Sequence, residues 1–466
     1  MHLRATLNSI VHSGPTRRRE LPVRPAPAWL LIPGLIFLAA SLACYVQYQR
    51  RFPSGPLDLT VYLGGLDAFK SGEPVYQIGY GPLELPFTYP PAALVLFYPL
   101  GLASLETTHE VLSALSFAAT FLVAWCVTGM LHYRGAAGRI GASAAITGFA
   151  VWLEPVQTNA GFGQINALLM ALVVADLTLL RRTRLAGVGI GVAAAIKLVP
   201  GIFVLYLLAT RRFRAAATAI GAFLVLSAIG VAAVPHSAEF WLHGLFIRDD
   251  RVTGGLGGNG PASPANQSLR GFFARIFDEA VSVPSTPALV LWALCALAVL
   301  VLGMMLAVRA ERRGEGAAAM CLVALTALLI SPVSWTHHWV WIVPFLVVLS
   351  DVVTRLRGTM QTLAAGLPAV VAAVFTVWPL RLNDAAQLQA HGIIWVAHRH
   401  GPLGNEIGLQ IYVLAGLAAL VLAGLWLRRE PVGAAEPIEG DAGRDPAVDG
   451  TGDVADVGGG GRLRNG

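Results

Sequence analysis

Asp58 stands just outside the first hydrophobic span, in the run Leu57-Asp58-Leu59-Thr60-Val61-Tyr62. A Gly-, Pro- and Tyr-rich stretch follows it as far as Phe87-Thr88-Tyr89-Pro90-Pro91. A carboxylate, several tyrosines and a stiff Pro-Pro turn thus gather at one surface of a chain that is otherwise nearly all apolar helix. A carboxylate so placed can take the proton from a sugar hydroxyl as a general base, and the turn can hold an acceptor against it. If 58–67 is helical, Tyr62 falls on the Asp58 face one turn on and would line the pocket, whereas Asp67 points nearly the opposite way. The two carboxylates therefore do not act as a pair. The same spacing also fits Asp58 as a plain helix cap after Pro56, and the residues alone leave both readings open.

Other side chains of the same kind are scattered along the chain. Phe87, Tyr76, Tyr80 and Tyr89 suit either carbohydrate stacking or an interfacial aromatic belt. Gln164 and Asn166, in Gly163-Gln164-Ile165-Asn166, place two amides at the opening of an apolar run, where they can bond sugar hydroxyls or a neighbouring helix. Lys197 is one of two lysines and lies deep in Ala194-Ala195-Ile196-Lys197-Leu198-Val199-Pro200. A charged amine inside a membrane segment is costly and marks function unless it snorkels to the surface; a lipid phosphate is its natural partner. The loop 236–286 carries Arg248-Asp249-Asp250-Arg251 and Asn266-Gln267-Ser268-Leu269-Arg270. There Asn266 and Gln267 can read hydroxyls and Arg270 can bind phosphate, or the segment is a solvated loop before an ordinary helix start. Finally, Ser331-Pro332-Val333-Ser334-Trp335-Thr336-His337-His338-Trp339 ends another apolar run. Trp335 can stack on a sugar and one histidine can bond a phosphate or the base. Adjacent helical residues diverge by about 100°, so His337 and His338 are not expected to chelate one metal.

The elements that must position these residues follow from composition. The chain has 466 residues, 55% of them hydrophobic and only 13% charged. Ordinary soluble domains carry about 25% charged residues, and here apolar runs of about 20 residues end repeatedly in arginine clusters. The chain therefore reads as an all-α, polytopic integral plasma membrane protein. The net charge of +6 lies mostly in short interhelical loops, where it reports orientation and anionic-lipid contact and gives no ground for nucleic-acid binding. Cys44, Cys126, Cys295 and Cys321 fall in or beside apolar runs with no Cys-x-x-Cys pair, and read as buried small hydrophobes.

Twelve spans are expected, near 28–48, 106–131, 140–158, 162–180, 185–198, 199–210, 215–235, 287–308, 316–331, 338–351, 359–378 and 408–427. This arrangement puts the arginines at 134/139, 181–184, 211–214, 309–313, 355/357 and 428–429 in the cytoplasm with both termini. It requires 185–210 to be a helical hairpin with Lys197 near its outer tip, and 92–103 to be a short interfacial or re-entrant helix. Residues 1–27 form a basic cytoplasmic segment, 28–428 the membrane domain with short interfacial helices in its extracytoplasmic loops, and 429–466 a disordered acidic tail. The first span is too long for a cleaved signal peptide and is read as a signal anchor.

Taken together, these segments resemble glycosyltransferase family 87, a GT-C-type group of polyprenyl-phosphate-mannose-dependent α-mannosyltransferases of the actinobacterial envelope. The matching pieces stand in family order. They are Asp58–Tyr62, Gly72-Glu73-Pro74-Val75-Tyr76, Phe87–Pro91, Gly163–Asn166, Ala195–Pro200, Asn266–Leu269 and Ser331–His338, across residues 55–345. The resemblance implies that Asp58 is the catalytic base. It also implies an extracytoplasmic site, a lipid-linked mannosyl donor, and neither metal nor cofactor. It does not settle the acceptor, since members look alike whether they extend phosphatidylinositol mannosides or branch lipomannan and lipoarabinomannan.

The expected reaction is a single in-line displacement. Asp58 takes a proton from an acceptor mannose hydroxyl, the oxygen attacks the anomeric carbon of a β-mannosyl phospholipid, and an α-(1→2) bond forms with inversion. Lys197, Arg270 and His338 meet the charge of the departing phosphate. Tyr62, Tyr89, Gln164, Asn166, Asn266, Gln267, Trp335 and His337 complete the expected binding set. Competing readings are a lipid-linked sugar flippase or other transporter, and a polyprenyl-linked glycan ligase. A flippase would move substrate without forming a glycosidic bond, and a ligase would want an arginine pair for pyrophosphate near 236–286.

Overall fold

The computed structural model describes residues 23–53, 55–242, 260–277, 285–380, 389–397 and 407–428. The arginines at 17–19, the Arg248-Asp249-Asp250-Arg251 cluster and the tail from 429 onward lie outside these residues.

The amino-terminal half contains helices α1 (Leu31–Arg51), α2 (Leu57–Ser71), α3 (Pro91–Phe97), α4 (Leu105–Met130) and α5 (Ala136–Ala150). It continues with α6 (Glu154–Gly161), α7 (Asn166–Thr178), α8 (Val188–Ile196), α9 (Ile202–Ala209) and α10 (Phe213–Ala233). Then come α11 (Leu269–Ile276), α12 (Thr286–Arg312), α13 (Gly316–Ile330), α14 (Ile342–Arg355), α15 (Leu367–Phe375) and α16 (Ile411–Trp426). Strands among the described residues are three pairings of two or three residues each.

Among the described residues, five helical segments are long and apolar enough to cross a bilayer: Ala28–Arg51, Leu105–Met130, Phe213–Ala233, Thr286–Arg312 and Thr336–Arg355. Their outward faces are apolar and exposed, as at Ile32 and Ile36 on α1, Leu224 and Val225 on α10, and Leu294, Leu297 and Val301 on α12. Such faces belong in hydrocarbon and not in water. The fold is thus all-α and polytopic, held in a membrane.

Twelve full-length spans are not what the described residues present. Helices α6 and α7 pass the length test only together, as one broken span bent by 116°. Residues 185–198 and 199–210, expected to be two spans, fold as α8 with 9 residues and α9 with 8. At 1.5 Å per residue each reaches about 13 Å, under half of a hydrocarbon core of about 30 Å. Apolar composition does not separate a helix that crosses from a half-length helix enclosed by its neighbours.

Small residues let the helices close on one another without a hydrophobic force in lipid. A Cβ on Gly34 of α1 would strike the backbone of Gly141 on α5, and one on Gly303 of α12 would strike Thr326 on α13. The same packing fixes directions. Gly187 lies against Ala215 and Gly191 against Ala219, so α8 runs parallel to α10, while α9 returns between them with Lys197 at the turn. Gly230, near the far end of α10, lies against Ala92 of α3. Helix α3 and Lys197 therefore share one end of the bundle.

The opposite end is closed by ion pairs. Glu311 meets Arg181 at 3.0 Å and also Arg212, and it accepts the Tyr206 hydroxyl at 2.9 Å. Glu315 pairs with Arg355, which lies 3.0 Å from Asp351, and Asp351 pairs with Arg24 at 2.8 Å. Some of the arginines that the sequence groups on one surface thus meet in two clusters, one around Glu311 and one running from Glu315 through Arg355 and Asp351 to Arg24.

Candidate active site

At the Lys197 end a cavity of about 1060 Å³ opens among α1, α2, α6, the α8–α9 turn and the segment 333–338. Asp58 is the second residue of α2. The capping position is Pro56, no side chain caps the helix, and the helix-cap reading of Asp58 falls away. The end of α2 is instead anchored by backbone: the N–H groups of Asp58 and Leu59 both donate to the carbonyl of Phe162, each at 3.1 Å. Phe162 sits where α6 breaks before α7. Gly163 there has φ +67°, and a Cβ on it would come within 2.7 Å of Leu59 Cβ. A glycine is required for this approach and for the backbone turn. The Asp58 side chain is thereby aimed into the cavity. Its Oδ2 is sheltered and has no hydrogen-bond partner. Burial raises its pKa from 3.8 to about 6, against the opposing pull of Lys197 and of a hydrogen bond from Gln164.

Lys197 ends α8 in an extended conformation, φ −148° and ψ 124°, and turns its amine back toward the site. Its Nζ donates to Asn166 Oδ1 at 2.9 Å and lies 2.9 Å from His338 Nε2. An ammonium offers only donors, so His338 Nε2 accepts and the ring carries its proton on Nδ1. The ammonium also lies 5.4 Å from the centre of the Tyr89 ring. The amides are held in turn. Gln164 Nε2 donates to the Tyr89 hydroxyl at 3.2 Å, and Asn166 Nδ2 donates to Gln164 Oε1 at 3.2 Å and to the His337 carbonyl at 3.3 Å. Asp58, Tyr89, Gln164, Lys197, Trp335, His337 and His338 all line the cavity. Asn166 lies behind Lys197 and lines a smaller adjoining space.

Four residues expected to bind substrate stand elsewhere. Tyr62 is fully buried behind Tyr89, with the two hydroxyls 2.8 Å apart, and does not line the cavity. Asn266 Nδ2 donates to the carbonyls of Pro261 and Pro332, and its Oδ1 accepts from the Ser334 N–H at 3.0 Å. Gln267 Nε2 donates to the carbonyls of Pro264 and Leu409. Both amides are spent on backbone, tying down the segment that carries Trp335, His337 and His338. Arg270, at 1% exposure, is buried on α11 and does not line the cavity. Of the first-loop aromatics only Tyr89 faces the site. Tyr76 and Phe87 (6.0 Å) and Phe87 and Tyr89 (5.7 Å) pack on each other, so they form neither a belt nor a stacking platform.

Two features lay outside the sequence reading. Gln157 and Thr158 of α6 line the cavity. Glu154 is buried one turn earlier, accepting from Thr158 at 3.0 Å and from the Tyr412 hydroxyl at 2.9 Å. The signal available was the polar run Glu154–Asn159 inside an apolar stretch.

The cavity thus joins a carboxylate with one free oxygen to a fixed ammonium in a membrane-embedded bundle, which suits removal of a proton and reception of an anion. Comparison with known proteins agrees with this chemistry. Residues 87–332 match the family model of glycosyltransferase family 87. The polyprenol-phosphate-mannose-dependent alpha-(1-2)-phosphatidylinositol mannoside mannosyltransferase of Mycobacterium tuberculosis is 32% identical over 410 residues, covering 84% of this chain and 90% of the relative. A phosphatidylinositol pentamannoside mannosyltransferase of the same organism, with the same donor and linkage in its name, is 33% identical over 83% of this chain and 85% of its own. Among solved structures, ArnT from Cupriavidus metallidurans bound to undecaprenyl phosphate superposes with a TM-score of 0.42 at 19% identity, covering 85% of this chain and 72% of that one, too distant to inform the site. With a sheltered carboxylate and an ammonium in one cavity, a family match over more than half its length and relatives above 30% identity, this chain belongs to glycosyltransferase family 87.

Proposed function

We propose that the chain transfers mannose from polyprenyl-phosphate-mannose to a mannosylated glycolipid or lipoglycan, forming an α-(1→2) bond by inverting displacement. The observation that carries this reading is the unpartnered Oδ2 of Asp58 facing the same cavity as the Lys197 amine. The names of the relatives support the donor, the linkage and the mannosylated class of acceptor.

In this reading Asp58 Oδ2 takes the proton of an acceptor hydroxyl as that oxygen attacks the anomeric carbon. The bond from that carbon to the phosphate oxygen breaks, and the electron pair leaves with polyprenyl phosphate. Lys197 meets the charge gained by the phosphate, and His338 and Asn166 hold Lys197 in place. The phosphate role first given to Arg270 is not retained, because that side chain does not reach the cavity wall. A phosphate monoester leaves readily near neutral pH. The arginine-rich end is read as cytoplasmic by the positive-inside rule, together with both termini, which puts the cavity on the extracytoplasmic side.

The test uses membranes containing this chain, labelled polyprenyl-phosphate-mannose, and phosphatidylinositol mannosides of graded length. Wild type should label one acceptor class, and Asp58→Asn at equal expression should lose about 10²- to 10⁴-fold. Equal labelling by both proteins would remove Asp58 from the chemistry.

A further inference from the structure

Gln157 has no part in the reaction as drawn above. It is 8% exposed, lines the cavity, and its Nε2 is sheltered without a hydrogen-bond partner. A buried amide left in this state is costly and calls for an explanation. Its neighbour Thr158 is already committed to Glu154. Gln157 and Thr158, with Gly161 and Phe162 one turn later, place one face of α6 on the cavity.

The position of Gln157 relative to Asp58 decides what it would meet. The Phe162 carbonyl fixes the start of α2, and Gln157 lies back along α6 by about one and a half turns, roughly 7.5 Å. Lys197 is held from the other side, by Asn166 beyond the break that starts α7. Asp58, the Gln157 amide on α6 and the Lys197 ammonium thus line the one cavity. An in-line displacement puts the attacking oxygen and the leaving oxygen on opposite sides of the reacting carbon. The side away from Lys197 belongs to the acceptor. His337 adds a second sheltered nitrogen without a partner on the cavity wall, and Trp335 and Trp395 supply apolar faces for a sugar ring.

We propose that Gln157 reads a hydroxyl of the acceptor's terminal sugar and helps set which acceptor the enzyme takes. This rests on the transferase reading above. An amide N–H suits a neutral hydroxyl and gives no advantage with a phosphate, which assigns Gln157 to a sugar; the donor's mannose carries hydroxyls too, and an unchanged donor KM in the test below separates the acceptor from the donor.

The full chain in lipid nanodiscs is assayed with polyprenyl-phosphate-mannose and a phosphatidylinositol mannoside, alongside acceptors that each lack one hydroxyl of the terminal mannose. Gln157→Leu keeps volume and removes the donor. It should lower kcat/KM for the intact acceptor by about 10- to 100-fold, with donor KM unchanged. One deoxy acceptor should be used equally well by wild type and Gln157→Leu. An unchanged kcat/KM for the intact acceptor, or an equal loss on every acceptor, overturns the proposal while leaving the transferase reading intact. If Gln157→Leu does not fold, Gln157→Asn takes its place: the 10- to 100-fold loss that wild type shows on one deoxy acceptor must be absent in that variant, and a loss of the same size in both overturns the proposal. A wild type that moves mannose to none of these acceptors overturns the transferase reading, and this proposal with it.

Discussion

Replacing Asp58 by Asn should destroy activity and at the same time make the folded protein more stable at neutral pH. Burial holds the Asp58 carboxyl at about 6 in the folded chain, against 3.8 in the open chain. A carboxyl raised on folding stabilises the fold only while it is protonated, so its contribution is lost as pH rises through the folded value. At pH 7.5 the full difference applies, about 3 kcal/mol at 1.36 kcal/mol for each pH unit of separation. At pH 4.5 the folded carboxyl is largely protonated while that of the open chain is still mostly ionised, and the penalty falls to about 1 kcal/mol. Water in the cavity and the lost counter-charge for Lys197 both reduce this, so about 1–2 kcal/mol of net gain is expected at pH 7.5. The assay is thermal unfolding of wild type and Asp58→Asn in detergent micelles at the two pH values. The variant should melt higher at pH 7.5, and the gap should narrow at pH 4.5. A gap that is absent, reversed or independent of pH would show that Asp58 is not held in a sheltered, unsatisfied state.

Other expectations follow from the same geometry. Because Asp58 must be ionised to act, transfer by wild type should fall about tenfold for each pH unit below about 6 and level off above it; a break near 4 would contradict a sheltered carboxyl. Lys197→Met should lower kcat by about 10²- to 10³-fold and weaken inhibition by free polyprenyl phosphate, with acceptor KM unchanged. Asn266→Ala leaves the Ser334 N–H and the Pro332 carbonyl without this partner and should cost about 1–3 kcal/mol of stability, seen as a lower melting temperature. If that variant instead changes acceptor KM at unchanged stability, Asn266 touches substrate after all.

The charged centre was legible because charge in an apolar chain is expensive. Lys197 inside the run Ala194–Pro200 and Asp58 at the edge of a span have few bland explanations, and both line the cavity. The amides were harder to read. Gln164 faces the cavity, while Asn266 and Gln267 hold backbone, yet nothing in their local sequence separates an amide that reads a ligand from one that ties a loop. Gln157 was passed over for the opposite reason: it sits near the end of a segment taken as one apolar span, and the break after α6 that gives it a cavity face depends on Gly163 packing against Leu59, a contact between distant parts of the chain. Helix number failed on a related point, since α8 and α9 are as apolar as crossing helices but run only about half the length.

The pairing of Arg24 with Asp351 joins positions 327 residues apart. At ribosomal rates of about 5–20 residues per second, the second partner is made roughly 20–60 s after the first. Throughout that interval the amino-terminal helix can be held by its close fit to α5 but not by its final ionic contact. The last helices to leave the ribosome thus lock the first ones. A carboxy-terminal truncation before Asp351 would leave the amino-terminal segment with its fit to α5 but without this ionic contact.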